Sequence, residues 1–186
     1  MPMPSRSKTS KIVTLSVIAV VLALFVVKTF FLGYYRIPQN GMYPTLPADS
    51  ILFTLKRPYS DISNVKRGDI IVFVREQNGR RYNYIWRVIA LPGEKVEAFG
   101  ESLTINDQPV RRESVGDIDG KNIFREQIDA VSYQIAFDPS ARDRPPDASV
   151  SVPAGHLFVM GDNRFNAFDS RYFGPISFGS IIRKKL

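Results

Sequence analysis

The hydrophobic pattern divides the chain into two unequal parts. Residues 12–27 read IVTLSVIAVVLALFVV, an uncharged run in which only Thr14 and Ser16 are polar. Lys28 and Thr29 interrupt it, and FFLGYY carries the apolar character on to Tyr35. From Ile12 to Leu32 is roughly 21 residues, the length an α-helix needs to cross a hydrocarbon core of ~30 Å. The run has no polar face, so it does not read as a core helix of a soluble domain. A cleavable secretory signal fits poorly, because the stretch is long and no Ala-x-Ala-like site follows it. The expectation is a transmembrane anchor over 12–32, with Lys28 reaching to the headgroups along its apolar stem. Arg6, Lys8 and Lys11 precede the span. That bias sets residues 1–11 in the cytoplasm and residues 34–186 on the outer face of a bacterial plasma (inner) membrane.

Beyond the anchor the chain changes to short β-type runs. SILFTL (50–55), DIIVFV (69–74), YNYIWRVIAL (82–91), KVEAF (95–99), LTI (103–105) and HLFVM (156–160) are rich in Ile, Val, Phe and Tyr. Pro58, Gly68, Asn78-Gly79, Pro92-Gly93, Asn106-Asp107 and Pro153 punctuate them. QNGRR between two runs signals a hairpin. No helical period is sustained. The predicted fold is a mainly β, antiparallel domain behind one N-terminal helix. The stretch 111–151 breaks the pattern with polar DIDGKN and FDPSARDRPPDAS. It is expected to be a less regular insertion or flap, flexible over 139–148.

Composition narrows the chemistry. The chain has no cysteine, which excludes thiol catalysis and disulfides. Its one histidine, His156, opens a strand, so neither a zinc site nor any other metal or cofactor is expected. The net charge of +7 suits a domain resting on membrane lipid. The basic residues are scattered without interleaved aromatics, so nucleic acid is not an expected partner.

Four stretches carry the candidate chemistry: IPQNGMYPTL (37–46), KRGDIIVF (66–73), YIWRVIALPGE (84–94) and VPAGHLFVMGDNRFNAFDSRYFG (152–174). In order and spacing they resemble the motifs of bacterial signal peptidase I, the membrane-bound serine protease that removes signal peptides from exported preproteins. LTINDQPV (103–110) is similar to that family's Leu-x-Ile-Asn-Gly-x-Pro-Val hairpin. The resemblance implies an antiparallel coiled β-sheet domain of the signal peptidase I type. It also implies a serine nucleophile served by a neutral lysine base, whose pKa burial must pull down.

Against those motifs the matches and departures separate cleanly. Ile37, Pro38, Met42, Pro44, Thr45 and Leu46 match Ile-Pro-Ser-Gly-Ser-Met-x-Pro-Thr and its extension. The nucleophile falls on Gly41 and the oxyanion serine on Gln39. Arg87 and its neighbours match the third motif, but the lysine falls on Trp86, whose indole is no base near neutral pH. Gly161, Asp162, Asn163, Arg164, Asn166, Asp169, Ser170 and Arg171 match the fourth. The serine that touches the lysine falls on Ala167, and an aspartate on Phe165.

The resemblance implies structural pairing of Arg87 with Asp162 and of Asp169 with an arginine such as Arg171, beside Ser170. An Asp162/Asp169 acid dyad is the alternative reading. Thr45, Ser50 and Ser170 are the alternative nucleophiles. The family's substrate wall maps onto Tyr35, Arg36, Ile37 and Pro38, facing Asn83, Tyr84 and Ile85. Its membrane-facing apolar patch maps onto Tyr34, Tyr35, Met42, Tyr43 and Leu46, extended by Trp86. Three expectations follow: a non-cleaving homologue that binds signal peptides or an active paralogue, an active endopeptidase with a displaced nucleophile, or a structural membrane β-protein.

Overall fold

The computed structural model describes residues 8–186; Arg6 and the rest of the first seven residues lie outside the described residues. Helix α1 (Lys8–Phe30) contains one segment, Ser10–Phe30, long and apolar enough to cross a membrane. It ends two residues before the predicted boundary at Leu32. Hydropathy cannot tell the end of an apolar helix from the start of an apolar strand. Leu32 is drawn into strand β1 (Leu32–Arg36), where it pairs with Leu55 of β2 (Ile51–Lys56). The Lys56 ammonium donates to the Thr29 carbonyl at 2.5 Å and so caps the last helical turn.

The domain continues with β3 (Ile70–Gln77) and β4 (Arg80–Ala90), joined at Asn78-Gly79 with φ of 52° and 71°. That pair of positive φ values suits a two-residue hairpin turn. Then come β5 (Lys95–Phe99), β6 (Ser102–Ile105) and β7 (Gln108–Pro109). Three longer strands follow, β8 (Arg111–Ile118), β9 (Lys121–Ile128) and β10 (Val131–Phe137). The chain closes through β11 (Ala148–Ser151), β12 (His156–Met160), the single-turn α2 (Ser170–Phe173), β13 (Ile176–Ser177) and β14 (Ile181–Lys185). A seven-stranded sheet runs β1-β2-β14-β3-β4-β12-β13; a second runs β10-β9-β8 and a third β11-β5-β6-β7. Strand neighbours in all three are antiparallel.

The stretch 111–151 is therefore no irregular flap. Most of it is the regular β8–β10 sheet, and apart from the two-residue turns at 119–120 and 129–130 only 138–147 lacks strand structure. Its period was hidden because β8 is exposed at almost every position and β9 buries a charged residue, Glu126.

Two apolar cores sit on either side of β4 and β12. Trp86, Val88, Leu157 and Val159 face the first; Ile89, Ala90, Phe158 and Met160 face the second. Burial on both faces explains why these strands are apolar at nearly every position. The exception is Arg87, 5% exposed and on the face opposite Trp86. It binds Asp162 through two bonds, Nε to Oδ1 at 2.8 Å and Nη2 to Oδ2 at 2.6 Å. Its third nitrogen donates to the Gly68 carbonyl at 2.9 Å, and its guanidinium lies 3.9 Å from the Tyr133 ring centre. Nearby, Glu126 takes both terminal nitrogens of Arg164, Nε of Arg112 at 2.8 Å and the Tyr133 hydroxyl at 2.7 Å.

Burial alone would raise the Glu126 carboxyl. Arg164 and then Arg112 overcome that and hold it at about 2. The folded value lies below the ordinary 4.5, so this carboxylate stabilises the fold above pH 4.5. That stabilisation drains away as pH falls from 4.5 towards about 2. Denaturant titrations in detergent should show stability falling across that window. Glu126→Gln should cost roughly 3–5 kcal/mol at neutral pH, because it leaves Arg164 buried without its counter-charge.

Candidate functional site

A cleft of about 310 Å³ opens on the first core. Ile37, Pro38, Gln39, Gly41 and Met42 line it from the first motif, and Tyr82 to Trp86 line it from β4. Asn166 and Phe168 of the fourth motif complete the lining. The loop after β1 is held by its own backbone: Ile37 N–H donates to Ser50 at 2.9 Å, and Leu46 N–H to Met42 at 2.8 Å. Asn40 Oδ1 accepts from the Ala48 amide at 2.8 Å. Asn163 clamps the loop from the fourth motif, its amide donating to Gly41 O at 3.0 Å and its Nδ2 to Asn40 O at 3.1 Å.

The five named positions that depart from the family motifs behave differently. Trp86 is 8% exposed and packs in the first core. A Cβ placed on Gly41 would stand 2.5 Å and 2.7 Å from two carbons of its six-membered ring. A Cβ on Gly161 would meet the Ala167 methyl, Gly41 O at 2.6 Å and Trp86 at 2.9 Å. Gly41, Trp86, Gly161 and Ala167 are thus one packed unit, and the indole fills the space a nucleophile side chain would need. Gln39 stays exposed on the rim of the same cleft. Phe165 is buried in the second core against Phe137, ring centres 4.9 Å apart.

Among the described residues none of the alternative nucleophiles hydrogen-bonds to a base. Thr45 Oγ1 accepts from Arg87 Nη2 at 3.3 Å, Ser50 Oγ donates to Pro47 O at 2.5 Å, and buried Ser170 Oγ accepts from the Val159 amide at 3.0 Å. Arginine does not deprotonate to serve as a base. Asp162 and Asp169 form no acid dyad: each is taken up by its own arginine. Asp169 accepts from Arg171 Nε at 2.9 Å and Nη2 at 2.7 Å, and from the Gly161 amide at 2.9 Å. Among the described residues no His/Cys/Asp/Glu cluster is arranged to hold a metal.

Ile37, Pro38, Asn83, Tyr84 and Ile85 line the cleft, but Tyr35 and Arg36 do not. Strand β1 turns their side chains to its two faces: Tyr35 OH accepts from Arg183 Nε at 3.1 Å, and Arg36 pairs with Asp49 at 2.9 Å. The expected membrane patch also shrinks. Met42 and Leu46 are core residues, 2% and 6% exposed, whereas Tyr34 is 72% exposed. Trp86 is buried and does not extend that patch. Tyr82 and Phe168 are lining residues that the motif comparison did not supply. Tyr82 was readable from strand alternation, since it shares a face with Tyr84 and Trp86.

One edge of β4 is open. Strand β3 pairs with it from Arg80 to Arg87, while β12 reaches only from Arg87 to Ala90. From Arg80 to Trp86 the edge beside the cleft has no strand partner among the described residues.

The packed unit has a measurable signature. Gly41→Ala should destabilise the protein by about 1–3 kcal/mol through overpacking. In a Trp86→Ala background the same change should cost less, giving a coupling of roughly 0.5–3 kcal/mol in a double-mutant cycle of unfolding free energies.

Residues 9–185 match the family model described as "Signal peptidase, peptidase S26". The chain is 32% identical over 170 residues to the signal peptidase I of Pseudomonas fluorescens, covering 83% of this chain and 60% of that protein. It therefore spans 60% of that relative's length. It is 37% identical over 158 residues to signal peptidase I S of Bacillus subtilis, covering 83% of this chain and 74% of that one. A crystal structure of a signal peptidase I from Enterococcus faecalis aligns with a TM-score of 0.41 at 29% identity, over 65% of this chain and 96% of that one. With nearly its whole length matched by the family model, the chain belongs to the signal peptidase family, peptidase S26.

Proposed function

We propose that this protein is a membrane-anchored signal peptidase homologue that binds exported peptides without cutting them. The observation that carries the reading is the contact of Trp86 with Gly41: nucleophile and base positions are occupied by one indole and the gap it needs. No hydroxyl at the alternative positions bonds to a base, so no obvious second dyad takes over. Binding has a separate physical basis. The free edge of β4 offers backbone donors and acceptors to an extended peptide, and apolar walls at Ile37 and Tyr84 take small side chains. Neither contribution needs serine or lysine. The N-terminus lies in the cytoplasm and the β domain outside, where signal peptides emerge. Its role is accessory or regulatory, holding a signal peptide or supporting an active paralogue.

The test has two parts. Full-length protein in detergent should leave a preprotein with an Ala-x-Ala site uncut, as read on a gel. Cleavage by the natural protein would sink the proposal and send attention to Thr45, Ser50 and Ser170. Trp86 is the chain's only tryptophan, so its emission reports on the cleft directly. A non-cleavable signal peptide should shift that emission saturably, and Tyr84→Ala should weaken the binding by roughly ten-fold, the scale of about 1.4 kcal/mol. Replacing Gln39, Gly41 and Ala167 by Ser together with Trp86→Lys should restore slow cutting, since burial lowers the pKa of the introduced amine.

A further inference from the structure

Several cations of the β domain pair with a carboxylate. Arg67, Arg87, Arg164, Arg171 and Lys184 pair with Glu94, Asp162, Glu126, Asp169 and Asp69. The end of the seven-stranded sheet nearest α1 gathers four cations that have none. Lys56, Arg57, Arg183 and Lys185 make no ion pair among the described residues. Three of them share one face, because Arg183 pairs directly with Lys56, and Lys185 with Thr54 two residues away. Like charges directly opposite on an antiparallel pair repel. Two polar atoms on this face, Arg183 Nη1 and Thr54 Oγ1, are also buried without a partner. Gly33 admits the arginine, since a Cβ there would fall on the guanidinium.

Next to this cationic face lies a groove of about 640 Å³. It is lined by Thr29, Phe30 and Phe31 at the end of α1 and by Leu55, Lys56 and Arg57 at the end of β2. Phe30 and Phe31 are 65% and 53% exposed. Arg57 sits at φ 49°, a left-handed conformation unusual for a residue with a side chain. Such outliers concentrate at sites where a side chain must be placed. The groove thus joins an apolar wall to uncompensated cations at the level where the apolar helix ends.

We propose that this face is a binding site for the phosphate headgroup of an anionic phospholipid. The phosphate lies between Lys56, Arg57 and Arg183 and relieves the like-charge pair. The acyl chain runs along Phe30, Phe31 and Leu55. The inference rests on α1 crossing a bilayer and is independent of whether the cleft cuts peptides.

The experiment places the full-length chain in nanodiscs of phosphatidylcholine, with or without phosphatidylglycerol. Thermal unfolding is read in both, and lipid retained after detergent extraction is read by mass spectrometry. Phosphatidylglycerol should raise the melting temperature of the natural chain and be retained over phosphatidylcholine. Lys56→Gln and Arg57→Gln should each lower that preference about five-fold, the scale of one cation at a membrane surface. In phosphatidylcholine alone Lys56→Gln should change stability little, because the lost bond to the Thr29 carbonyl is offset by removal of a repelling charge. Arg142→Gln, an equal charge loss on the exposed loop before β11, should leave the preference intact. An equal loss with Arg142→Gln, or no response to phosphatidylglycerol, overturns the site. Failure of the chain to enter the nanodisc overturns the anchor on which it rests.

Discussion

A guanidinium buried between two apolar cores is tolerable only if a carboxylate meets it with good geometry. Asp162 does so for Arg87, and that pair sets much else in the fold. Arg87 lies on the second-core face of β4, so Trp86 must lie on the other, in the first core, beside Gly41. A slip of one residue would exchange them, driving a charge into the first core and the indole into a cluster of arginines. Asp162 also joins the third motif to the fourth, and Asn163 next to it clamps the loop that carries Gly41. The strand register, the loop and the cleft between them therefore descend from one buried ion pair, reinforced by the Glu126–Arg164–Arg112 group beneath it.

On the proposed non-cleaving reading, this dependence explains why the frame is kept while positions 41 and 86 differ from the family motifs. Removing Arg87 or Asp162 strands its partner in a low-dielectric interior, which is strongly destabilising. Exchanging a serine for glycine, or a lysine for tryptophan, strands no buried charge. The changes at 41, 86 and 167 fit one another: the indole needs the bare backbone of Gly41 and Gly161 and the small methyl of Ala167. The free edge of β4 is a separate property, set by where β12 stops pairing, and needs neither a serine nor a lysine.

The sequence made some of this legible and hid the rest for physical reasons. The apolar run, the Asn78-Gly79 hairpin and the strands around β3, β4, β5 and β12 follow from hydropathy and turn chemistry. Family motifs supplied the departures at Gln39, Gly41, Trp86 and Ala167. The β8–β10 sheet was not legible, because β8 is exposed on both faces and Glu126 occupies a core position. Glu126 reads as a surface residue until Arg164 and Arg112 are seen around it. The family resemblance maps Tyr35 and Arg36 onto the cleft, whereas β1 pairing sends them to opposite sheet faces. Met42 and Leu46 looked like a membrane surface, because an apolar residue in a loop carries no sign of which way it faces.

The balance at the altered site can be judged by magnitude. Burying an aromatic side chain of 150–250 Å² contributes about 4–6 kcal/mol at ~25 cal/mol per Å². Against this stands Trp86 Nε1, a buried donor with no acceptor, which costs roughly 1–3 kcal/mol. Burial wins, so the indole stabilises the cleft even with its N–H unanswered. A neutral lysine in the same pocket would bury less apolar surface and would give up an ammonium's hydration to stay uncharged. An enzyme accepts that cost because the amine does chemistry. On the proposed reading packing alone favours tryptophan at position 86, and Gly41 is then a steric requirement of the fold.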